Sequence, residues 1–286
     1  MAEHTYVIPD RITEGLYSLE VLAASSGVVY RQLEENAVRV GSLDESFTIV
    51  HLTDPHLDLL SKPENMLLFE RLLNEIRAES PDLMLITGDL SSSALAYTTD
   101  WEFIKEKTIE YCDFPVFIVP GNHDTQRSGR INGMELWEEL FGPCYYSFEW
   151  GSWHFLGLNT ADSEYGFVSG VVSEEQMEWI TEELKRIGSE KIILFGHHNF
   201  YDDRWIFFEE TEQRRELLDL FTRSNVALAL FGHRHSDAID YSLNTLSLTT
   251  KRAVETDGKL AYRRIVVEEG LIIELVEVEP KGSSIF

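Results

Sequence analysis

Six of the nine histidines fall in four short clusters with acidic or amide neighbours: Asp54-Pro55-His56, Gly121-Asn122-His123-Asp124, Gly196-His197-His198 and Gly232-His233-Arg234-His235. A fifth cluster, Gly88-Asp89, carries a carboxylate alone. The donors on offer are carboxylate oxygen, amide oxygen and imidazole nitrogen without thiolate, a mixture that suits hard-to-borderline divalent cations. Asp-x-His and His-x-His spacings put both side chains on one side of an extended backbone. Two such cations roughly 3.5–4 Å apart acidify a water between them and stabilise the attacking and leaving oxygens of an ester displacement. Each motif alone is weak. Asp54-Pro55-His56 also reads as a turn, Gly88-Asp89 as a strand exit, and Asn122 and Asp124 as turn formers after Pro120-Gly121. The isolated His51 and His154 read as satisfied sheet residues.

Each cluster stands where a predicted strand ends. From residue 47, short apolar runs alternate with amphipathic stretches, the pattern of βαβ units. Strands are predicted at 47–53, 83–87, 116–120, 153–159, 191–196 and 226–232. Ligands of open α/β sheets gather beyond the carboxyl ends of strands, so the five clusters should converge. Phe69, Leu72, Leu73 and Ile76 mark one face of a helix over 63–80, with Ser61 as its cap and Pro63 near its first turn. A second helix over 173–187 opens with a capping box, Ser173 and Gln176, and stops at Gly188. A third covers 210–223. Beyond His235 the period becomes two, predicting strands at 244–250, 260–267 and 271–278, with hairpin turns at Asp257-Gly258 and Glu269-Gly270. The organisation expected is one α/β domain over 47–286 after an N-terminal extension, 1–46, in which 31–40 forms a strand pairing with the first core strand.

The ordered set D-x-H, G-D, G-N-H-D, H and G-H-x-H resembles the calcineurin-like metallophosphoesterase superfamily over Asp54 to His235. The resemblance implies a four-layer αββα sandwich. It implies one metal on Asp54, His56 and His235, a second on Asn122, His197 and His233, and Asp89 bridging both. It further implies a metal-bridging water or hydroxide as nucleophile and His123 near the leaving group, in place to donate a proton. The metals stay open among Mn, Fe, Zn and Co. In the tandem His197-His198, family position favours the first as ligand, and His198 becomes a candidate substrate contact. Arg127 and Arg130 are candidate phosphate contacts, although a loop arginine is more often solvated surface.

The segment after Asp89, Leu90-Ser91-Ser92-Ser93, lacks the Asp-Arg-Gly of Ser/Thr protein phosphatases and the tyrosine of purple acid phosphatases. The stretch from Phe155 to Thr160, Gly170, the run Ser173 to Trp179 and Tyr262-Arg263 look like the cyclic-nucleotide and glycerophosphodiester phosphodiesterase branch. Two departures stand out. Ser92 replaces that branch's Asp, so Asp124 becomes the candidate for holding His123, and His-His-Pro becomes His197-His198-Asn199.

The function implied is hydrolysis of a small anionic phosphate diester, with a phosphomonoesterase or nucleotide pyrophosphatase as the alternative on the same centre. A formal charge of −26, from 24 basic and 50 acidic residues, argues against a DNA-repair-type nuclease. A non-catalytic scaffold would be expected to lose ligands, and here the set is intact. No secretory signal or membrane-length apolar run is visible, and Cys112 and Cys144 read as reduced core thiols. A cytoplasmic protein without nucleic-acid or membrane partners is expected, its oligomeric state left open.

Overall fold

The computed structural model describes residues 12–25, 28–41, 45–94, 97–128, 131–162, 169–202 and 211–280. The chain opens with β1 (Gly15–Ser25) and β2 (Val28–Val40), then runs through β3 (Phe47–Leu52), α1 (Asn65–Ala78), β4 (Leu83–Thr87), α2 (Tyr97–Tyr111) and β5 (Val116–Val119). Next come the two-residue strands β6 (Arg127–Ser128) and β7 (Ile131–Asn132), α3 (Gly133–Phe141), β8 (Tyr146–Trp150), β9 (Trp153–Gly157) and α4 (Glu174–Ile187). The second half contains β10 (Lys191–Phe195), α5 (Thr211–Thr222), β11 (Val226–Phe231), β12 (Ala238–Ser242), β13 (Thr245–Thr249), β14 (Leu260–Val267) and β15 (Leu271–Val278).

Two sheets dominate: a five-stranded one in the order β15-β14-β3-β4-β5 and a six-stranded one in the order β12-β13-β11-β10-β9-β8. Their central strands are parallel and buried on both faces, which is why they read as near-continuous apolar runs. The faces alternate residue by residue. Ile49, Leu83, Leu85, Ile193, Phe195, Leu228 and Leu230 meet between the sheets. Val50, Leu52, Met84 and Ile86 pack under Phe69, Trp101 and Trp137 of α1, α2 and α3. Ile192, Leu194, Ala229 and Phe231 pack under Ile180, Leu217 and Phe221 of α4 and α5. The result is the αββα sandwich expected.

Helix α1 buries the four residues its spacing predicts. Its N-cap, however, is Glu64, with no side-chain cap bond. Ser61 lies before that position, in a turn where its N–H donates to the Asp58 carbonyl (3.1 Å), and the expected cap is not made. At α4 the box is half made: Ser173 Oγ accepts from Gln176 N (3.3 Å). The Gln176 side chain turns away to the 159–162 loop, accepting from Asn159 N (3.0 Å) and donating to Asn159 O (2.9 Å) and Asp162 Oδ2 (3.1 Å).

Strand β2 pairs antiparallel with β1, not with β3, whose two edges are taken by β14 and β4. The expected pairing of 31–40 with the first core strand is therefore corrected. Asp257-Gly258 is likewise no hairpin between the strands flanking it, because β13 belongs to one sheet and β14 to the other. It makes a tight local turn closed by the bridge Val254–Leu260, with Gly258 at φ 82°. Glu269-Gly270 does close a hairpin, β14–β15. The expected third helix is α5, with Glu210 outside the described residues. Helices α2 and α3 and strands β1, β6, β7, β8 and β12 are not among the elements expected from the sequence. Both cysteines are buried and unpaired, and among the described residues no helix is long and apolar enough to cross a membrane.

Candidate metal centre

The five clusters follow β3, β4, β5, β10 and β11, and the structure brings them together across both sheets. Their backbone is locally strained. Asp54, His56, Asp89, His233 and His235 all adopt positive φ, between 45° and 67°, a conformation that costs a non-glycine residue about 1 kcal/mol or more. The strain is held by hydrogen bonds continuing the β3–β4 ladder: Asp54 N to Gly88 O (3.0 Å), His56 N to Asp89 O (3.0 Å) and Leu57 N to Leu90 O (2.9 Å). Close approach makes two glycines obligatory. A Cβ at Gly232 would sit 1.9 Å from Thr53 Oγ1, and one at Gly121 would sit 2.3 Å from Asp89 Oδ1.

Asp54, His56, Asp89 and His235 form one group of donor atoms, all within 4.8 Å of one another. His56 Nε2 lies 2.9 Å from His235 Nε2 and 3.5 Å from Asp54 Oδ1, and His235 Nε2 lies 3.1 Å from Asp54 Oδ1. Around His197 stands a second group, with Nε2 3.2 Å from both Asn122 Oδ1 and His233 Nδ1. One atom, Asp89 Oδ2, reaches both groups, 3.4 Å from His56 Nε2 and 3.3 Å from His197 Nε2. With ligand bonds of about 2.1 Å, donors sharing one ion sit roughly 3 Å apart, a spacing that suits metal ligation in these groups.

The surrounding hydrogen bonds leave the right atoms free. His197 Nδ1–H donates to the Thr87 carbonyl (2.7 Å), turning the Nε2 lone pair inward. Asp54 Oδ2 accepts from Thr53 Oγ1 (2.7 Å) and His233 N (2.9 Å), while Oδ1 is buried with no hydrogen bond. Asp89 Oδ1 accepts from His123 N (2.8 Å). The electrostatics tie the two groups together. Burial opposes the charge on Asp54 and Asp89, yet the histidines, His197 foremost, hold both carboxyls well below their usual range. Burial opposes the charge on His197 too, but Asp89 and Asp54 push it up to about 9. His233 is driven down to about 4 by burial and by His197.

His123 stands on the first group's side, its ring 4.9 Å from that of His56 and its Nδ1 3.2 Å from the Ser92 carbonyl. Asp124 does not hold it, and that expectation is corrected. The Asp124 carboxylate accepts from Leu90 N (3.0 Å), Ser91 N (3.4 Å) and Gly121 N (2.9 Å), clamping the turns after β4 and β5 together. Burial, then the Asp89 charge, pushes it up to about 7. His198 is fully buried against the His233 ring at 4.4 Å, with Nδ1 3.1 Å from Thr160 Oγ1, and does not line the cleft described next. Arg127 is exposed on β6 and is also not part of that cleft, so neither candidate substrate contact is placed there. Arg130 lies outside the described residues.

A cleft of about 620 Å³ opens on His56, Ser92, His123 and His235 and continues past Lys62 and Arg252. Sequence reasoning missed both cations, and also Thr53, Thr87 and Thr160, which orient donors from just outside the centre. The three threonines did carry a positional signal: Thr53 and Thr87 stand just before Asp54 and Gly88-Asp89, and Thr160 closes the stretch from Phe155. His51 and His154 are sheet residues as expected. The first is bonded to Thr250 and Thr87 and pushed down to about 3 by burial and Arg263; the second contacts Glu183 and Arg186.

A two-sheet sandwich with a carboxylate-, amide- and imidazole-lined centre at its strand ends defines a metal-dependent phosphoesterase. The chain belongs to the calcineurin-like phosphoesterase family, whose model matches residues 47–237. It is 26% identical over 194 residues to a probable cyclic nucleotide phosphodiesterase of Fibrobacter succinogenes, covering 63% of this chain and 68% of that one. It is 28% identical over 206 residues to a 3′,5′-cyclic-nucleotide phosphodiesterase of Nostoc, covering 66% and 72%. A dimetal phosphatase from Danio rerio shares the fold, with a TM-score of 0.61 and 15% identity over 81% of this chain and 98% of that one.

Proposed function

We propose that the chain hydrolyses a small phosphate diester at two metal ions, one on Asp54, His56 and His235 and one on Asn122, His197 and His233, with Asp89 shared. The observation that carries this is the single oxygen Asp89 Oδ2, which faces both histidine groups at 3.4 and 3.3 Å. Bound there, two ions among Mn, Fe, Zn and Co would supply an acidified water and draw charge off the phosphoryl oxygens.

The chain's own residues do the rest. Thr53, Thr87 and the His233 backbone fix which donor atoms face inward. Ser92 O orients His123 through Nδ1, leaving Nε2 to pass its proton to the departing alkoxide. Asp124 keeps the Asp89 and Asn122 turns in register. The diester preference is supported by the cyclic-nucleotide phosphodiesterases among the relatives. We assign residues 1–46 to an extension beside the catalytic domain, 47–286. The unpaired Cys112 and Cys144 suit a reducing, cytoplasmic setting.

Metal-free protein reloaded with each ion and offered a panel of mono- and diesters tests this reading. About two ions per chain by elemental analysis and faster diester turnover are expected. Asp89→Asn should lose both ions and turnover together; an active variant with full metal content contradicts the shared carboxylate.

A further inference from the structure

The cleft beside the centre has the size of a small-molecule site, and its lining includes His56, His123 and His235 but none of Asn122, His197 and His233. It thus lies on the His123 side, where the leaving oxygen takes its proton under the reading above. Its charged lining comprises Lys62, Arg252, Glu64, Glu255 and Asp257. These are not equivalent. Lys62, Glu64 and Asp257 are exposed, so water and salt screen them. Glu255 is paired with Lys251 Nζ at 3.4 Å, and Asp257 Oδ1 accepts from Lys259 N at 3.1 Å.

Arg252 is different. It is half-buried, its Nε is buried without a hydrogen-bond acceptor, and no carboxylate of the described residues pairs with it. In a chain with 50 acidic residues against 24 basic ones, a partly buried guanidinium left unpaired needs an explanation. Its place is also fixed. Ala253 N donates to Thr53 O (2.8 Å) and Ala261 N to Ala253 O (3.0 Å), sewing the backbone beside Arg252 to the strand end that carries Asp54. Leu68 and Val254 add apolar wall.

We propose that this cleft takes the leaving group of the ester and that Arg252 binds an anionic group on it. The substrate class is then a phosphate ester whose leaving alcohol carries a second oxyanion, carboxylate or phosphate, matched by the guanidinium fork. The inference rests on the proposed orientation of the ester towards His123.

A matched pair of chromogenic diesters tests it: 4-nitrophenyl methyl phosphate and 3-carboxy-4-nitrophenyl methyl phosphate. The metal-loaded protein should prefer the carboxylated ester through a lower KM. Arg252→Met should raise that KM roughly 10- to 100-fold and erase the preference, and Arg252→Lys should keep part of it. Equal losses on both esters would put Arg252 on the scissile phosphate and overturn the proposal, as would an unchanged preference. Calorimetric titration with the leaving alcohol, 5-hydroxy-2-nitrobenzoate, reads the site without turnover. Binding that beats 4-nitrophenol and weakens in Arg252→Met supports the cleft assignment even if no ester is cleaved, in which case the hydrolytic reading alone fails. Equal binding of the two phenols overturns the assignment.

Discussion

His123 and Asp124 are adjacent and meet opposite fates. The Asp124 carboxylate is fully buried and must find donors, which the Leu90, Ser91 and Gly121 N–H groups supply. His123 stays partly open on the cleft and takes a backbone carbonyl, Ser92 O, as its orienting partner. The carbonyl fixes the ring and leaves Nε2 facing the cleft side. His123→Ala should therefore retain both ions and lose about 10²–10⁴ in rate on an alkyl diester, whose alkoxide needs a proton. On a nitrophenyl ester, whose leaving group departs unprotonated, the loss should be far smaller. Equal losses on the two substrates, or loss of an ion, would refute the acid role.

At the scale of the element, α4 shows how one helix ties the outer layer to a sheet. Ser173 caps its start, Gln176 grips the 159–162 loop, and Glu183 reaches across to β8 and β9. The Glu183 carboxylate is bonded by Arg186 (2.8 Å), Ser147 and His154 (3.2 Å). Arg186 first, then Ser147 and His154, hold it down to about 2 against the opposing effect of burial. The folded value lies below the ordinary 4.5, so the charge stabilises the fold above that pH and the contribution is lost as pH falls from 4.5 through about 2. Glu183→Gln should cost about 1 kcal/mol at pH 7. The gap to the parent protein should narrow at pH 3, as urea-unfolding midpoints at the two pH values would show. A gap just as wide at pH 3 would rule the ion pair out as its source.

For the whole molecule, charge is the dominant property. The chain carries a formal −26, and its centre adds two buried carboxyls that neighbouring histidines hold in the charged form. Such a surface repels a polyanion but admits a small anion to a site where bound metals reverse the local sign. No stable complex with duplex DNA is expected near physiological salt. Fluorescence anisotropy with a labelled duplex should stay flat up to protein concentrations of about 10 µM, since an acidic surface lacks the phosphate contacts that give basic proteins their non-specific affinity of about 10⁻⁴–10⁻⁶ M. Tight binding that falls steeply with salt would favour a nuclease.

The strand-end clusters and the faces of α1 and α4 were legible in the sequence because their determinants are local. Ligand chemistry restricts residue types at short spacing, and a helix face repeats every three or four residues. What only the tertiary structure decided depends on groups distant in the chain or without a side-chain signature. The partner of β2 is β1 because β14 and β4 already occupy both edges of β3. Asp257-Gly258 is a turn between sheets because β13 joins β11 while β14 joins β3. Ser61 is no cap because α1 begins only after Glu64, and His123 found a carbonyl that any residue at position 92 could have offered. Arg252 is the clearest case: whether a given cation finds a carboxylate depends on where 50 of them come to rest, and among the described residues none reaches this one, which is settled only when the chain closes on itself.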